Sequence, residues 1–381
     1  LDLGRVHDRD RADPARVPGD VMAEAPAIQG FATVEGTAGY RTRRGARAGE
    51  GHFRTWQGLT LSSLGIGTYL GAEDEATDRA YQATVRRALE LGFNVVDSAI
   101  NYRHQRSERN VGAVLRALAT EVRIAREDIL LATKGGFLPH PVDAYVRAGI
   151  VKADEVVSDS HCIAPRYLAD QLDRSRANLG VETIDVYYVH NPESQLGAVD
   201  QATFLARMRA AFEFLESAVS DGKIRWYGAA TWTGFRQPAT ARDHLSLPGL
   251  VSLAREVAGD RHHFGMIQLP YNLAMTEAIT VANQRVGAAS VPVMQAAEQL
   301  GIYVMTSASI MQGKLAQNLP PALAQVLEGL RTDAQRALQF VRSTPGVGTA
   351  LCGMRSLAHV EENAGLVAVP PVPSEKLFSQ A

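Results

Sequence analysis

Polar side chains with complementary acid–base chemistry stand at the ends of short apolar runs. Asp97 closes NVVD, Lys134 closes DILLATK and His190 closes TIDVYYVH, while Tyr102 follows Asp97 by five residues. Each residue taken alone also has a purely structural interpretation. Asp97 could cap a helix, Lys134 could lie on the rim, His190 could be a hydrogen-bonded residue at a strand end, and Tyr102 could be a half-buried loop aromatic. Together they present four different proton-handling groups at successive strand ends, which indicates one site.

The four groups suit proton transfer to a carbonyl compound. A free phenol has a pKa of about 10. An adjacent ammonium from Lys134 favours the phenolate and should lower the pKa of Tyr102, and a carboxylate keeps that ammonium charged. The imidazole of His190 can hydrogen-bond a carbonyl oxygen. We therefore expect a site that protonates an alkoxide as hydride reaches the carbonyl carbon.

Other chemistries are poorly represented. The set contains no nucleophile–base pair of the serine or cysteine kind. The adjacent pairs His262–His263 and His161–Cys162 have poor spacing for one metal ion, so we expect solvated loop residues there and no metal site. The remaining cysteine, Cys352, cannot complete a disulfide framework or a four-thiolate zinc site.

Composition excludes further classes of function. The chain has 381 residues, 46% hydrophobic, with 39 basic and 41 acidic side chains and a formal net charge of −2. This balance gives no general attraction to nucleic acid or anionic membrane, and no apolar run reaches the ~18 residues of a membrane span. Low cysteine content and the lack of a secretory apolar region favour a cytoplasmic protein with a small-molecule partner. Oligomeric state is left open.

The sequence alternates between two kinds of segment from residue 56 onward. Short apolar runs predict strands: LSSLGIGTYL, NVVDSA, DILLATK, TIDVYYVH, KIRWYGAAT, GMIQLPY, IYVMTSAS and VGTALCGM. Amphipathic segments of helical period follow them. Gly92 and Gly180 are predicted to end helices, and Ser107 to cap one.

Eight such units predict an α/β fold, a (β/α)8 TIM barrel over residues 56–381. In that fold the carboxyl ends of the strands form one rim, where catalytic residues gather. The alternative is an open, doubly wound sheet. Gly65, Gly67 and Gly71 follow a strand but miss the dinucleotide-binding spacing, and no ribose-binding acid is evident.

Residues 1–55 differ in composition, mixing Arg, Asp, Gly and Pro with few large apolar side chains. Such a segment buries little surface, so it predicts an irregular N-terminal extension. The alternative is an arm docked on the barrel or on a partner subunit. Arg41, Arg43, Arg44 and Arg47 favour a solvated stretch over a phosphate site.

Several motifs carry a resemblance to a known family. The segments NVVDSAINYRHQRSERNVGAVL, LLATKGG, IDVYYVHNPE, KIRWYGAAT, MIQLPYNL, GIYVMTSASIMQGKL and TPGVGTALCGMRSLAHVEEN resemble, in order, the signatures of the aldo-keto reductases. The resemblance covers about residues 56–366. It implies a (β/α)8 barrel that binds an extended nicotinamide cofactor, usually NADPH. It also implies Tyr102 as general acid–base, Asp97 and Lys134 as its partners, and His190 as the residue that orients the carbonyl.

The same resemblance implies a set of cofactor-binding residues. Gln268 falls where the family holds the nicotinamide carboxamide, and Arg355 falls near the 2′-phosphate, which suits its planar donors. Stretches matching the pyrophosphate and adenosine sites contain Ser309, Ile310, Gly313, Lys314 and Leu315, and Gly353, His359, Glu362 and Asn363.

The chain departs from the family pattern at three positions. Thr231 stands where many members have Asn, and is the expected substitute contact to the carboxamide. Ser307 stands where many members stack an aromatic ring on the nicotinamide, so Trp232 or Tyr227 would compensate unless they are packing residues. Arg103 stands where Gly is common, and is expected to face solvent or to reach an anionic substrate.

The sequence therefore predicts an NADPH-dependent oxidoreductase that interconverts carbonyls (aldehyde, ketone or sugar) and alcohols. One alternative is an NAD-dependent sugar or aldose dehydrogenase, with NAD as its cofactor. Another is a cofactor-sensing, non-catalytic regulatory subunit. A Schiff-base aldolase on Lys134 fits the neighbouring Asp97 and Tyr102 less well.

The connection after Lys134 is unusually long. Residues 135–164 exceed the usual ~2–6 residues of such loops, and they leave the strand at the expected catalytic rim. We expect a specificity lid in which Phe137 and Tyr145 contact the substrate, joined by Trp232. The alternative is a surface insertion with a short helix.

Overall fold

A computed structural model describes residues 26–121 and 123–378 of the chain. Its strands are β1 (Phe53–Trp56), β2 (Leu59–Ser62), β3 (Leu64–Gly67), β4 (Val95–Asp97), β5 (Leu130–Gly135), β6 (Ile184–His190), β7 (Ile224–Ala230), β8 (Phe264–Pro270), β9 (Gln284–Val286), β10 (Ala289–Val291), β11 (Tyr303–Ser307) and β12 (Thr349–Gly353). Eight of them pair in parallel and close in the order β11-β12-β3-β4-β5-β6-β7-β8. The predicted (β/α)8 barrel is confirmed, because the closed ring leaves no sheet edge.

The helices pack around this barrel. They are α1 (Val34–Arg44), α2 (Glu75–Glu90), α3 (Arg106–Thr120), α4 (Val142–Arg147), α5 (Pro165–Leu179), α6 (Gln201–Ser220), α7 (Leu247–Ala258), α8 (Glu277–Thr280), α9 (Val293–Gln299), α10 (Ala322–Val326), α11 (Asp333–Ser343), α12 (Leu357–Ala364) and α13 (Ser374–Leu377). Gly92 and Gly180 follow α2 and α5 with φ of 105° and 65°. Both glycines end their helices as predicted, because glycine adopts a left-handed backbone without a Cβ clash.

Helix α3 does not begin as the sequence suggests. The predicted cap, Ser107, already lies inside the first turn, and its Oγ donates to the carbonyl oxygen of Thr68 at 2.7 Å. The residue before the helix is Gln105, with φ of 68° and no capping side-chain bond. The prediction for Ser107 is therefore wrong, because the hydroxyl bonds the loop after β3 instead of its own helix.

The segment predicted as the first strand, LSSLGIGTYL, contains the end of β2 and the whole of β3. The strand β2 belongs to a hairpin that precedes the barrel. Gln57 and Gly58 have φ of 48° and 80° and form the tight turn of an antiparallel hairpin between β1 and β2. Leu59 and Leu61 of β2 are buried among inward-facing residues of the barrel strands. Only β3, which begins at Leu64, joins the barrel.

Part of the N-terminal segment is ordered and docked. Helix α1 is capped by Thr33, whose Oγ1 accepts from the backbone N–H of Gly36 at 2.9 Å. The hydroxyl of the buried Tyr40 donates to the carbonyl oxygen of Phe93 at 3.1 Å, and Arg43 pairs with Asp128 at 2.6 Å. The prediction of an irregular extension over residues 1–55 is thus wrong for Val34–Arg44 and for residues 53–55, where the docked-arm alternative applies. Residues 1–25 lie outside the described part.

Candidate active site

The barrel brings the four predicted side chains to one rim. Asp97 and His190 are the last residues of β4 and β6, and Lys134 is next to last in β5. Tyr102 lies in the turn between β4 and α3. Strands β4, β5 and β6 are neighbours in the barrel, so parallel pairing places their carboxyl ends side by side.

A buried ion pair lies at the centre of this rim. Lys134 Nζ donates to Asp97 Oδ2 at 2.6 Å and to the carbonyl oxygen of Ser98 at 2.7 Å. Gln268 Nε2 donates to the other carboxylate oxygen of Asp97 at 2.8 Å. Burial lowers the pKa of Lys134 and raises the pKa of Asp97, and each partner's charge opposes the shift. The hydrogen bonds hold both groups in one geometry.

Tyr102 lies beside the ion pair without bonding it. The ammonium nitrogen of Lys134 lies 4.9 Å from the centroid of the Tyr102 ring. Burial, then the Asp97 carboxylate and Tyr69, raise the pKa of Tyr102 well above its ordinary value. The expected lowering of this pKa by Lys134 is therefore wrong for this structure, because burial dominates and the ammonium is occupied by Asp97 and Ser98. The phenol stays protonated at neutral pH.

His190 faces the Tyr102 ring. Their centroids lie 6.0 Å apart at an interplanar angle of 77°, and the Phe137 ring stands edge-on to the imidazole at 5.1 Å. Burial, then the positive charge of Lys134 and the neighbouring His161, lower the pKa of His190 well below its ordinary value. The imidazole is therefore neutral at pH 7 and offers one N–H donor.

A chain of hydrogen bonds through His161, Gln195 and Arg207 holds the backbone of His190. His161 Nε2 lies 2.7 Å from the carbonyl oxygen of His190, and Gln195 Nε2 lies 2.7 Å from His161 Nδ1. Because an amide N–H can only donate, His161 accepts at Nδ1 and donates from Nε2. Arg207 Nη1 in turn donates to Gln195 Oε1 at 2.5 Å. The expectation of a solvated His161 is wrong, since the residue is fully buried.

Arg103 is neither solvent-facing nor directed at the cleft. Its side chain is 2% exposed and pairs with Asp78 at 2.7 Å, while its Nε donates to the carbonyl oxygen of Ala72 at 2.9 Å. Both expectations for Arg103 are therefore wrong. The residue ties the turn after Tyr102 to the segment that precedes α2.

A large cleft opens from the rim. Its volume is about 1260 Å³, and Asp97, Tyr102 and His190 line one part of it. The predicted cofactor residues that also line it are Thr231, Gln268, Ser307, Ser309, Ile310, Gly313, Gly353, Arg355, His359, Glu362 and Asn363. They lie at the carboxyl ends of β7, β8, β11 and β12 or in the segments that follow, and these strands are consecutive around the barrel. One half of the rim thus forms a continuous wall.

Two predicted cofactor residues lie apart from this wall. Lys314 and Leu315 do not line the cleft, although their neighbour Gly313 does. The 3₁₀ turn Met311–Gly313, with φ of 55° at Gln312, turns the chain there. The structure brings Gln312 to the cleft instead, a residue that lies in the same motif.

The predicted substrate residues divide in the same way. Phe137 and Trp232 line the cleft, whereas Tyr145 does not. Tyr145 packs edge-on against Tyr167 at 6.0 Å, within a small hydrophobic cluster of the connection itself. Tyr227 is a packing residue, buried between aromatic rings of the core.

The long connection after β5 is folded. Phe137 and Val157 each form a bridge with His161, and α4 lies between them. The carbonyl oxygen of Phe137 accepts from Tyr167 Oη at 2.7 Å and from Gln171 Nε2 at 2.9 Å. Its role as a specificity lid stays a prediction, with Phe137 as its cleft residue.

Several cleft residues were missed by sequence reasoning. They are Tyr69, Thr77, Tyr81, Asn101 and Asn191. Asn101 and Asn191 stand directly beside Tyr102 and His190 in the sequence, and Tyr69 follows a strand. Position directly after a strand, or beside a predicted rim residue, was the signal that could have identified them.

Residues 26–121 and 123–378 contain neither a metal-binding cluster nor a membrane-spanning helix. No group of His, Cys, Asp and Glu in this part is placed to hold a metal ion. His263 bonds Glu216 at 2.7 Å with a side chain 41% exposed. No helix in the same part has the length and apolarity to cross a membrane.

Comparisons with known proteins agree with this architecture. A model of the Aldo/keto reductase family matches residues 63–377. A 6-dehydroglucose reductase of Novosphingobium aromaticivorans is 30% identical over 179 residues, 46% of this chain and 49% of that protein. The matched region therefore spans about half the length of that relative.

Longer matches have lower identity. An L-galactose dehydrogenase of Arabidopsis thaliana is 23% identical over 339 residues, covering 81% of this chain and 85% of that protein. A solved aldo/keto reductase from Klebsiella pneumoniae, in complex with NADP and acetate, superposes with a TM-score of 0.58 at 21% identity. That structural match covers 88% of this chain and 94% of the other, and it shows a shared fold.

Proposed function

Because the chain belongs to the aldo/keto reductase family, we propose that it reduces the carbonyl group of a small molecule with NADPH. The observation that carries the proposal is the buried Lys134–Asp97 pair beside Tyr102. With His190 these residues lie at one end of a cleft large enough for an extended cofactor and a substrate. No other part of the described chain gathers such a set.

The cleft residues fit a nicotinamide cofactor. Thr231 Oγ1 and Asn363 Oδ1 are buried polar atoms on its wall without a hydrogen-bond partner. Such atoms are costly to leave unpaired, and a bound ligand with amide and amino groups would satisfy them. Gln268, Thr231 and Asn363 would hold the cofactor's polar groups, and Arg355 its 2′-phosphate. When bound, NADPH supplies the hydride.

The chain's own residues supply the proton. The raised pKa of Tyr102 keeps its phenol protonated, so it can donate to the carbonyl oxygen as negative charge develops there. Lys134 places an ammonium 4.9 Å from the ring and stabilises the phenolate that remains. Asp97 fixes that ammonium, because two hydrogen bonds orient the carboxylate from both sides.

His190 supplies orientation. A neutral imidazole can donate one hydrogen bond to the substrate oxygen without adding charge, and its lowered pKa keeps it neutral. Preorganised donors of this kind favour the charge that develops in the transition state. Phe137 packs edge-on against the ring at 5.1 Å.

The relatives support NADP as the cofactor, but they include both a reductase and a dehydrogenase, so they do not give the direction of the reaction. NADP is present in the Klebsiella pneumoniae structure, and a reductase of 6-dehydroglucose is among the relatives. The long match to an L-galactose dehydrogenase favours a second candidate, oxidation of a sugar alcohol group. A non-catalytic, cofactor-sensing subunit would bind NADPH without turnover.

The test is a Tyr102→Phe variant assayed with NADPH and a panel of aldehydes. It should lower turnover by ~10²–10⁴-fold, the usual contribution of general acid catalysis. The Kd for NADPH, from fluorescence titration, should stay unchanged. Tyr145→Phe is a matched control, because that ring lies outside the cleft. A Tyr102→Phe enzyme with more than about a third of wild-type turnover would contradict the assignment.

A further inference from the structure

The half of the rim opposite the proposed cofactor wall has a regular composition. Going round the barrel from β3 to β7, the cleft is lined by an aromatic ring or a carboxamide after each successive strand: Tyr69, Asn101, Phe137, Asn191 and Trp232. Because β3 and β7 lie four strands apart in the closed barrel of eight, Tyr69 and Trp232 face each other across the mouth. The two amides stand between aromatic walls.

These side chains are available to a ligand. Tyr69 is 54% exposed and Trp232 39% exposed, unusual values for large aromatic residues. Asn101 is exposed and Asn191 half-buried. Neither carboxamide bonds another residue within the described part of the chain, and each has two donors and an acceptor oxygen to offer.

The aromatic walls are held in place. Two hydrogen bonds from α5 fix the carbonyl oxygen of Phe137. The backbone N–H of Trp232 donates to Glu193 Oε1 at 2.6 Å, and the next residue's N–H donates to the same oxygen at 3.0 Å. Preorganised surfaces lose less entropy on binding.

This half of the rim carries no free charge. Among the cleft-lining residues after β3 to β7, Asp97 is the one carboxylate, and it is paired with Lys134. The nearby guanidiniums of Arg103 and Arg236 lie outside the lining and are paired with acids. The cleft's one guanidinium, Arg355, follows β12, the strand next to β3, and its side chain lies beside Gly71. It is the residue proposed above to hold the 2′-phosphate of the cofactor.

We propose that the substrate of this site is an uncharged, polyhydroxylated aldehyde or ketone, and that the site discriminates against phosphorylated and carboxylated analogues. The proposal rests on the carbonyl reductase function proposed above. Aromatic faces pack against the C–H surface of such a molecule, while Asn101 and Asn191 exchange hydrogen bonds with its hydroxyls. An anionic group would find no cation in this half of the rim except Arg355 at its β3 edge, and the cofactor's 2′-phosphate would already engage that guanidinium.

A matched set of three-carbon aldehydes tests the substrate class. The set is glyceraldehyde, glyceraldehyde 3-phosphate and propanal, each assayed with NADPH. Two hydroxyl–amide hydrogen bonds are worth roughly tenfold together, so kcat/KM for glyceraldehyde should exceed that for propanal by about tenfold. It should exceed that for the phosphate by at least as much.

Variants assign the preference to the amides. Asn101→Ala and Asn191→Gly should each lower kcat/KM for glyceraldehyde several-fold and leave propanal within about twofold. Glycine is chosen because Asn191 has φ of 45°. Asn318→Gly is the matched control, an exposed residue with φ of 59° that does not line the cleft. Asn101→Arg should raise the phosphate-to-neutral ratio of kcat/KM by about tenfold.

The outcomes separate the two proposals. Equal or better use of propanal, or a preference for the phosphate, would overturn the substrate class while the reductase function stands. Loss of propanal turnover in the Asn variants, matching the loss with glyceraldehyde, would also overturn it, because the amides would then be structural. NADPH binding without turnover of any of the three aldehydes would overturn the reductase function itself.

Discussion

His161 Nε2 lies 2.7 Å from the backbone carbonyl oxygen of His190. A buried histidine near the end of the long connection thus holds the strand end that carries the proposed carbonyl-orienting imidazole. Because the bond runs to the backbone, it sets the position of His190 in the site. This hydrogen bond is a direct contact between residues 135–164 and a proposed catalytic residue, whereas the role of that segment as a lid stays a prediction.

We expect His161→Leu to lower kcat by about tenfold, since small displacements of catalytic groups are costly. The Kd for NADPH should not change. His161→Gln should restore part of the activity, because its amide can donate to the same carbonyl oxygen. Equal losses in both variants, or a loss seen only in folded-protein yield, would mean that the site needs the ring for packing alone.

The pH profile of reduction should be broad. Tyr102 must be protonated and His190 neutral for the proposed chemistry. Their pKa values are shifted outward, above 10.0 and below 6.5 respectively, so turnover should be flat between these limits. It should fall only as pH rises through the raised pKa of Tyr102 or drops through the lowered pKa of His190. A kcat profile with an inflection near 8 would contradict this.

Stability should fall on mild acidification. Burial lowers the pKa of His52 from 6.5 to about 4, so between these values the unfolded chain takes up a proton that the folded chain refuses. The stabilisation is full above pH 6.5 and is lost as pH falls towards 4. The loss is roughly 3 kcal/mol, at about 1.4 kcal/mol per pKa unit.

Urea unfolding of His52→Asn measures that contribution. The difference in free energy of unfolding between pH 6.5 and pH 4 should be smaller in the variant by about that amount. Identical pH dependence in variant and parent would show that His52 titrates normally.

The sequence predicted the barrel and the four rim residues because both depend on local signals. Apolar runs marked each barrel strand, and Asp97, Lys134 and His190 closed three of them. What failed depended on contacts distant in sequence. The hydroxyl of Tyr40 donates to the carbonyl oxygen of Phe93, and the composition of the N-terminal segment does not predict that contact.

The pKa of Tyr102 shows the same limit at the site. Residue types alone suggested an ammonium that lowers it, but the sign depends on burial and on where the ammonium bonds. The residue type of Arg103 likewise suggested exposure or a role with an anionic substrate. Its actual partners, Asp78 and Ala72, lie in an earlier part of the chain. The direction of a pKa shift and the partner of a charged side chain depend on three-dimensional contacts, which the spacing of residues along the sequence does not give.

Cofactor preference provides a test of Arg355. This guanidinium is exposed on the cleft wall, and loss of a charged hydrogen bond costs about 1.5–3 kcal/mol. Arg355→Ala should therefore weaken NADPH by roughly tenfold or more and leave NADH nearly unchanged. Lys314→Ala is the control, because Lys314 is exposed but does not line the cleft. Equal weakening of both cofactors would remove Arg355 from the 2′-phosphate site.

The turn after Tyr102 is strained, and this gives a prediction about Arg103. Arg103, His104 and Gln105 have φ of 51°, 48° and 68°, three successive left-handed residues, none of them glycine. Each such residue costs about 1–2 kcal/mol, so tertiary contacts must hold the turn. The buried Arg103–Asp78 pair and the hydrogen bond from Arg103 Nε to the carbonyl oxygen of Ala72 do so.

Two substitutions separate the strain from the contact. Arg103→Ala keeps the strain and loses the ion pair, while Arg103→Gly loses the pair and relieves the strain. The glycine variant should be the more stable by about 1 kcal/mol, although both should be less stable than the parent. Both should show a lower kcat, because the segment before α2 is released from the turn that carries Tyr102. A glycine variant less stable than the alanine variant, in the same urea titration, would show that the turn is not strained in solution.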